Sequence, residues 1–217
     1  THSPRAEPKG RRLGKPVEFG YKAQVVDNPD GIVVDHTVEI GAPPDAPQLA
    51  PAIARIAART GKPPRAVTAD RGYGEAGVED DLHALGVTNV VIPRKAKPST
   101  ARRELEHRRP FRRLVKWRTG SEGRISTLKR GYGWDRSQLD GIHGARIWCG
   151  HGVFAHNLTK IAASGHQIRL LHVVDHHPVS AEPGRHRRDR VDHPLDPLPR
   201  QAVRVAGWFL GVQNQID

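Results

Sequence analysis

Hydrophobic and polar residues alternate along two runs near the start of the chain. In residues 17–26 the apolar side chains recur at almost every second position, and residues 31–40 form a second run rich in valine and isoleucine. The segment 27–31 between them combines Asp, Asn, Pro and Gly, which is typical of a turn. The pattern therefore predicts an antiparallel β-hairpin over residues 17–40.

Apolar residues then recur at helical spacing, and helices alternate with strands. Leu49, Ile53 and Ile56 share one face of a predicted helix, which Asp45 is placed to cap and Gly61 to end. Further elements are predicted at residues 66–69 (strand), 78–85 (helix) and 88–92 (strand). The order strand, strand, helix, strand, helix, strand predicts an α/β fold with a mixed sheet.

A strongly basic helical region follows. Residues 94–136 contain fifteen Lys and Arg against four Asp and Glu, which is +11 of the net charge of +12. Residues 102–130 are rich in helix formers but contain Pro110, Gly120 and Gly123, so the sequence predicts two helices rather than one. A helix surface with this imbalance of charge favours contact with nucleic acid over a simple solvated face.

The two ends of the chain differ from its middle. Residues 1–16 are basic and rich in Pro and Gly, which indicates a flexible lead-in. A further helix is predicted over residues 139–163, whereas residues 164–217 are rich in His, Pro and Arg without either periodicity, so we expect a disordered or irregular tail. One domain over residues 17–163 is therefore expected. The chain starts at Thr1 and contains no methionine, from which we expect a fragment or a processed piece.

Composition limits the class of protein further. A pI near 10.5 points to a polyanionic partner. The single cysteine, Cys149, allows no internal disulfide and favours a reducing compartment, the cytoplasm. No run of about eighteen apolar residues is present, so the sequence predicts no membrane-spanning segment.

Asp70 is the first candidate for chemistry. It directly follows the predicted strand at residues 66–69 and precedes a glycine turn at Gly72. A carboxylate at the carboxyl end of a buried strand stands on rigid backbone, beside the crevice in which open α/β sheets bind ligands. The alternative is an aspartate that only forms the turn.

Glu122 is the second candidate. On a helix it shares one face with Arg118, Ile125 and Lys129. Such a pattern is often a surface ion-pair ladder. The functional alternative is a metal ligand within a basic surface, because phosphodiester chemistry needs carboxylates for divalent metal and cations for the charged backbone.

These residues together resemble a known family. The segment Asp70-Arg71-Gly72-Tyr73, followed by the pattern Arg118-x3-Glu122-x6-Lys129, is similar to the bacterial insertion-sequence transposases of the DDE class. In many members a Tyr stands three residues before the Arg, where this chain has Val115, a departure that concerns that one role. The resemblance covers residues 14–162.

The resemblance implies a ribonuclease-H-like fold of three antiparallel strands, a helix, a parallel strand, a helix, another strand and a catalytic helix. Asp70 matches the second of three metal-binding acids and Glu122 the third. The first strand, which carries the first acid, has no counterpart before residue 17. Asp27, Asp30 and Asp35 are weak substitutes, since they lie in the hairpin and its turn. We therefore expect an N-terminally truncated domain.

The resemblance also implies the chemistry. Asp70 and Glu122 would hold Mg²⁺ or Mn²⁺, with two ions in an intact relative. DNA, as transposon ends and target, is the implied partner in a nucleoid-associated protein, and a homo-oligomer on DNA is left open. The residues expected to hold DNA phosphates are Arg118, Arg124, Lys129 and Arg130. With one acid missing, the chain is expected to bind DNA but to cleave it poorly.

Two other interpretations stay open at the level of sequence. One is a non-catalytic fragment that binds DNA or RNA through its basic helices. The other is a decayed gene product without a present role. The sequence alone does not decide whether the chain is an active enzyme.

Overall fold

The computed structural model describes residues 6–7, 18–41, 43–174 and 201–212. The helices are α1 Ala46–Thr60, α2 Val78–Ala84, α3 Thr100–His107, α4 Arg109–Tyr132 and α5 Gly141–Val174, with a short 3-10 helix at Arg71–Tyr73. The strands are β1 Ala6–Glu7, β2 Glu18–Asp27, β3 Val33–Ile40, β4 Ala66–Thr68, β5 Asn89–Val91, β6 Arg136–Ser137 and β7 Ala202–Val212.

The longer strands form one mixed sheet in the order β3-β2-β7-β4-β5. The predicted hairpin is confirmed: β2 and β3 are antiparallel, and Asn28 closes their turn by accepting a hydrogen bond from the Gly31 amide at 3.0 Å. The strands β4 and β5 are parallel. The mixed α/β architecture predicted from the sequence is therefore confirmed, while the ribonuclease-H-like name stays a prediction.

The strand β7 lies in the centre of this sheet, which differs from the irregular tail predicted for residues 164–217. It is antiparallel to β2 on one side and parallel to β4 on the other. Arg204 stands opposite both Asp27 and Thr68. The resemblance implies the same two orientations, antiparallel to the second strand and parallel to the fourth, for the first strand of the family. The remaining residues of the predicted tail, 175–200 and 213–217, lie outside the described part of the chain.

Each face of the sheet is covered by helices over its own apolar core. One core joins α1 and α2 to the sheet through residues such as Leu49, Ile53 and Leu82, together with Val203 and Val205 of β7. The other core lies under α4 and α5 and contains Leu128, Trp134, Cys149 and Leu210. Because β7 contributes side chains to both cores, it connects the two layers as well as the two halves of the sheet.

The basic region forms two helices, as predicted, with the break at Arg108, directly before α4. The two glycines of α4 do not interrupt it. At Gly120 a Cβ would stand 2.7 Å from Arg204 Nη1, so the missing side chain lets β7 pack closely against the helix.

The predicted lead-in of residues 1–16 is described only at Ala6–Glu7, which pair with Phe19 and Glu18 of β2. Among the helices that the structure describes, none has the length and apolar character needed to cross a bilayer. The predicted domain boundaries stay predictions.

Candidate active site

Asp70 stands at the carboxyl end of β4, as the sequence predicts. Its backbone is still extended, with φ −75° and ψ 175°, and its Oδ1 accepts a hydrogen bond from the Gly72 amide at 2.8 Å. Asp70 therefore forms the turn and also keeps a half-buried carboxylate at the edge of the sheet. Its second oxygen, Oδ2, makes no hydrogen bond or ion pair within the described residues. The turn-forming and ligand-binding interpretations of this residue are compatible.

A second carboxylate, Asp45, lies beside Asp70. Asp45 occupies the N-cap position of α1, as predicted, but its side chain makes no capping bond. Its Oδ1 is instead 2.9 Å from Lys22 Nζ. Asp45 Oδ2 and Asp70 Oδ1 each lie 2.9 Å from the point where a Cβ of Gly72 would stand. The two oxygens are therefore within twice that distance of each other.

Sheet topology explains why Asp45 and Asp70 meet. The strands β3 and β7 are both antiparallel to β2, and β4 is parallel to β7. The strands β3 and β4 therefore point the same way, and the residues that follow them reach one edge of the sheet. The sequence contained no sign of this, because the relation between β3 and β4 depends on β7.

Tyr73 also lies at this edge of the sheet. It is fully buried, and its hydroxyl has no hydrogen-bond partner among the described residues. The hydroxyl lies 3.3 Å, and Asp45 Oδ1 3.4 Å, from the point where a Cβ of Gly207 would stand. Burial first, and then the negative charges of Asp45 and Asp70, raise the pKa of Tyr73 well above its usual value, so the phenol keeps its proton.

Glu122 lies on an exposed part of α4. The buried stripe of that helix contains Leu114, Ser121 and Leu128. Helical geometry puts Glu122 to one side of the stripe, together with Arg118 and Lys129. No hydrogen bond or ion pair joins Glu122 to another residue of the described ranges. A shared metal site of Asp70 and Glu122 stays a prediction.

On the other side of the buried stripe of α4, the helix contributes Arg124 to a buried ion-pair network. Asp27 is 1% exposed, and its Oδ1 and Oδ2 each accept a hydrogen bond from Arg204 at 2.7 Å. Arg124 Nε adds a third bond to Asp27 Oδ2 at 3.1 Å. Both oxygens of Asp27 are thus engaged, so it is not a substitute for the first acid. The Arg124 side chain is 13% exposed and pairs with Asp27, and its contact with phosphate stays a prediction.

The two other candidates for the first acid, Asp35 and Asp30, also have partners of their own. Asp35 is buried and pairs with Arg55 and Arg59 at 2.7 and 2.6 Å. Asp30 is exposed in the hairpin turn, where its carboxylate contacts the Asn28 side chain. Neither side chain lies beside Asp70 at the carboxyl end of β4.

Of the remaining predicted phosphate ligands, Arg118 and Lys129 are half-buried and Arg130 is exposed, with its guanidinium hydrogen-bonded to Ser126. A larger basic feature lies near the start of α4. There a groove of about 980 Å³ is lined by residues that include Arg109, Arg112, Arg113 and Lys116. The sequence indicated this surface only as a region of high charge.

The site suits a small, hard cation. No group of three or more His, Cys, Asp or Glu residues that could hold a metal ion occurs within the described ranges. Mg²⁺, however, is commonly held by one or two carboxylates and keeps several waters. Asp70 and Asp45 supply oxygen ligands of that kind on one sheet edge.

Fold and site together define a mixed α/β protein with a carboxylate edge beside a basic helix. The family model described as Transposase DDE domain matches residues 1–158. The chain therefore belongs to the transposase DDE domain family, as its motifs predicted. Comparisons with curated proteins and with solved structures give no match. The strand β7 lies beyond the residues that the family model matches.

Proposed function

We propose that this chain is the catalytic domain of a DNA transposase, of the kind that cleaves phosphodiesters and transfers strands with divalent metal. The observation that carries the proposal is the position of Asp70 at the carboxyl end of β4, with one carboxylate oxygen unpaired among the described residues, in a chain of this family. The adjoining basic helix supports it, because such chemistry needs both signs of charge.

The path of α4 supports a contribution from Glu122. The helix starts over β5, where Phe111 and Val91 share a core, and ends over β2, where Leu128 packs with Tyr21. Since it crosses the sheet, its two sides face opposite ends of the strands. The side with Arg124 meets Asp27, which is level with Thr68, the last residue of β4, so the other side faces the continuation of the chain beyond Thr68. We infer that Glu122 faces the carboxyl end.

The acidic and the basic residues of the site then have different roles. Asp70, with Glu122, would hold a divalent ion, which supplies activation of water or of a 3′ hydroxyl for attack on phosphorus when bound. Arg118 and Lys129, on the same side of α4, hold phosphates and so position the DNA without reading its sequence. The groove of Arg109, Arg112, Arg113 and Lys116 extends this phosphate-binding surface.

We also propose that cleavage by this chain is weak. The strand β7 has the directions expected of the strand that carries the first acid, yet it contains neither aspartate nor glutamate. Continuing the pairing of Thr68 with Arg204 by two residues places Ala206 beside Asp70. Arg204 reaches α4, so by alternation Ala206 belongs to the same face of the sheet. A methyl group thus stands where a carboxylate is needed.

Replacing Ala206 by aspartate is expected to increase cleavage. The unchanged chain should nick supercoiled DNA slowly in Mg²⁺, and Ala206→Asp should raise the rate about tenfold or more because a carboxylate joins Asp70. Adding Asp70→Asn to that variant should abolish the gain, whereas adding Asp80→Asn, at an exposed site on α2, should not. Thermal unfolding checks that each variant is folded.

Two outcomes would contradict these proposals. Fast Mg²⁺-dependent nicking by the unchanged chain, lost in Asp70→Ala, would contradict weak cleavage but support the transposase chemistry. Absence of nicking in every folded variant would contradict the enzymatic proposal and leave DNA binding alone.

DNA binding is expected to depend on the basic groove. The double variant Arg112→Ala/Lys116→Ala should lower the affinity for a short duplex. It should also reduce the slope of log affinity against log salt concentration by about two units, because the DNA releases fewer counterions for each phosphate contact that is lost. Glu122→Gln should bind as well or better. Lys62→Ala, exposed at the end of α1, is the matched control. Fluorescence anisotropy across a salt series measures this, and an unchanged double variant would exclude the groove.

A further inference from the structure

We propose that Asp45 is a second carboxylate ligand for a divalent cation held at Asp70. The inference rests on the proposed function, since it names a further ligand for the same metal-dependent chemistry. It differs from the pattern implied by the motifs, in which the partners of Asp70 come from a first strand and from α4. Here the partner comes from the segment between β3 and α1.

Distance is the first support. Asp45 Oδ2 and Asp70 Oδ1 both border the space beside Gly72, each at 2.9 Å from its Cβ position. A side chain at residue 72 would fill this space, and glycine leaves it empty of protein atoms. Because like charges so close repel, a cation between them lowers the energy of both ionised carboxylates.

The Tyr73 hydroxyl is the second, independent support. Tyr73 is completely buried, and its hydroxyl finds no partner among the described residues. A buried hydroxyl without a hydrogen bond is costly and uncommon. The hydroxyl and Asp45 Oδ1 both border the Cβ position of Gly207, at 3.3 and 3.4 Å. Asp45 therefore borders both the space at Gly72 and the space at Gly207, and a water bound to a cation at Asp45 would satisfy this donor.

Lys22 offsets part of the negative charge of Asp45 and Asp70 when no metal is bound. Its ammonium lies 2.9 Å from Asp45 Oδ1 and also donates to the Pro43 carbonyl at 2.6 Å. The Lys22 and Asp45 side chains are 21% and 29% exposed, so water can reach them. The ammonium offsets the charge of one carboxylate only. A divalent ion can therefore enter beside Asp70 Oδ1 and Asp45 Oδ2, the two oxygens that border the Cβ position of Gly72, while Lys22 pairs with Asp45 Oδ1.

Titration calorimetry with MnCl₂ tests this assignment on the full chain at low ionic strength. Asp45→Asn and Asp70→Asn should each weaken Mn²⁺ binding about tenfold or more. Gly72→Ala should weaken it comparably, because the methyl fills the space while both charges remain. Lys22→Gln should strengthen binding several-fold, since a competing cation is removed. Asp80→Asn, at an exposed position on α2, should leave the affinity unchanged.

Mn²⁺ binding that Asp70→Asn weakens but Asp45→Asn leaves intact overturns the inference, and so does an absence of Mn²⁺ binding at millimolar concentrations. Both results are independent of catalysis. Mn²⁺ binding that needs both carboxylates, in a chain that never nicks DNA, supports the inference while contradicting the proposed function. Thermal unfolding of Asp45→Asn, with Mn²⁺ stabilising the unchanged chain but not the variant, gives a second readout.

Discussion

Asp27→Ala should reduce the free energy of unfolding by about 3–5 kcal/mol, because it leaves two guanidinium groups without their counter-charge in the interior. The Arg204 and Arg124 side chains are only 7% and 13% exposed. Water therefore cannot replace the lost carboxylate well. Urea unfolding followed by tryptophan fluorescence measures the change as a lower midpoint at an unchanged slope.

The network ties together distant parts of the chain. Asp27 ends β2, Arg204 lies in β7, and Arg124 projects from the middle of α4. The Arg204 guanidinium also donates to the Trp117 carbonyl at 2.8 Å and stacks over the Trp117 ring. Asp30→Ala, three residues away in the exposed turn, is the control and should change stability by no more than about 0.5 kcal/mol. Equal effects of the two substitutions would show that the network contributes little.

Replacing Asp27 together with Arg204 distinguishes the effect of charge on stability from that of packing. A double variant, Asp27→Leu/Arg204→Met, should be more stable than Asp27→Ala alone, because a buried ion pair replaced by apolar groups leaves no uncompensated charge at Asp27 or Arg204. The remaining guanidinium, Arg124, is the more exposed of the two and can turn toward solvent. A double variant as unstable as the single one would indicate loss of packing.

The elements with strong local patterns could be predicted from the sequence. The hairpin of β2 and β3 follows from alternation around a Pro-Gly turn, and β4, which ends two residues before Asp70, follows from a short apolar run before a glycine. The break between α3 and α4 follows from Pro110. In each case the information lies within a few neighbouring residues, where steric limits on the backbone decide the outcome.

The contacts between distant segments could not be predicted in this way. The strand β7 reads Ala-Val-Arg-Val-Ala-Gly-Trp-Phe-Leu-Gly-Val, a nearly continuous apolar run typical of a strand buried on both faces. Its position far beyond the other strands, after a segment without periodicity, hid this role. Asp45 carried only the signal of a helix cap. Its place beside Asp70 depends on the strand order, which no local pattern contains.

The central position of β7 also explains how the residues after β3 and β4 come to one edge of the sheet. Without β7, β2 and β4 have no shared neighbour, and the residues after β3 and β4 need not meet. The geometry of Asp45, Asp70 and Tyr73 therefore depends on a strand that contributes Gly207 to the same edge. A defect in β7 should disturb the carboxylate edge even where it touches none of its side chains.

Val205→Pro should prevent cooperative folding, because it places a proline in the central strand. Val205 is fully buried and pairs with Val26 of β2, while its neighbour Arg204 pairs with Thr68 of β4. Proline removes one hydrogen bond of the ladder and brings its ring against a neighbouring strand, at a cost of about 3 kcal/mol or more. Loss of packing at the same site adds to this, against a total stability of about 5–15 kcal/mol.

Val205→Ala is the matched control for the effect of the backbone. It removes two methyl groups from the core of α1 and α2 and should cost about 2 kcal/mol while keeping a single cooperative transition. Circular dichroism and amide hydrogen exchange compare the two variants, and only the proline should expose the amides of both β2 and β4. If the proline variant unfolds no more easily than the alanine variant, β7 is not the strand that joins the two halves of the sheet. The shared edge of Asp45 and Asp70 would then need another cause.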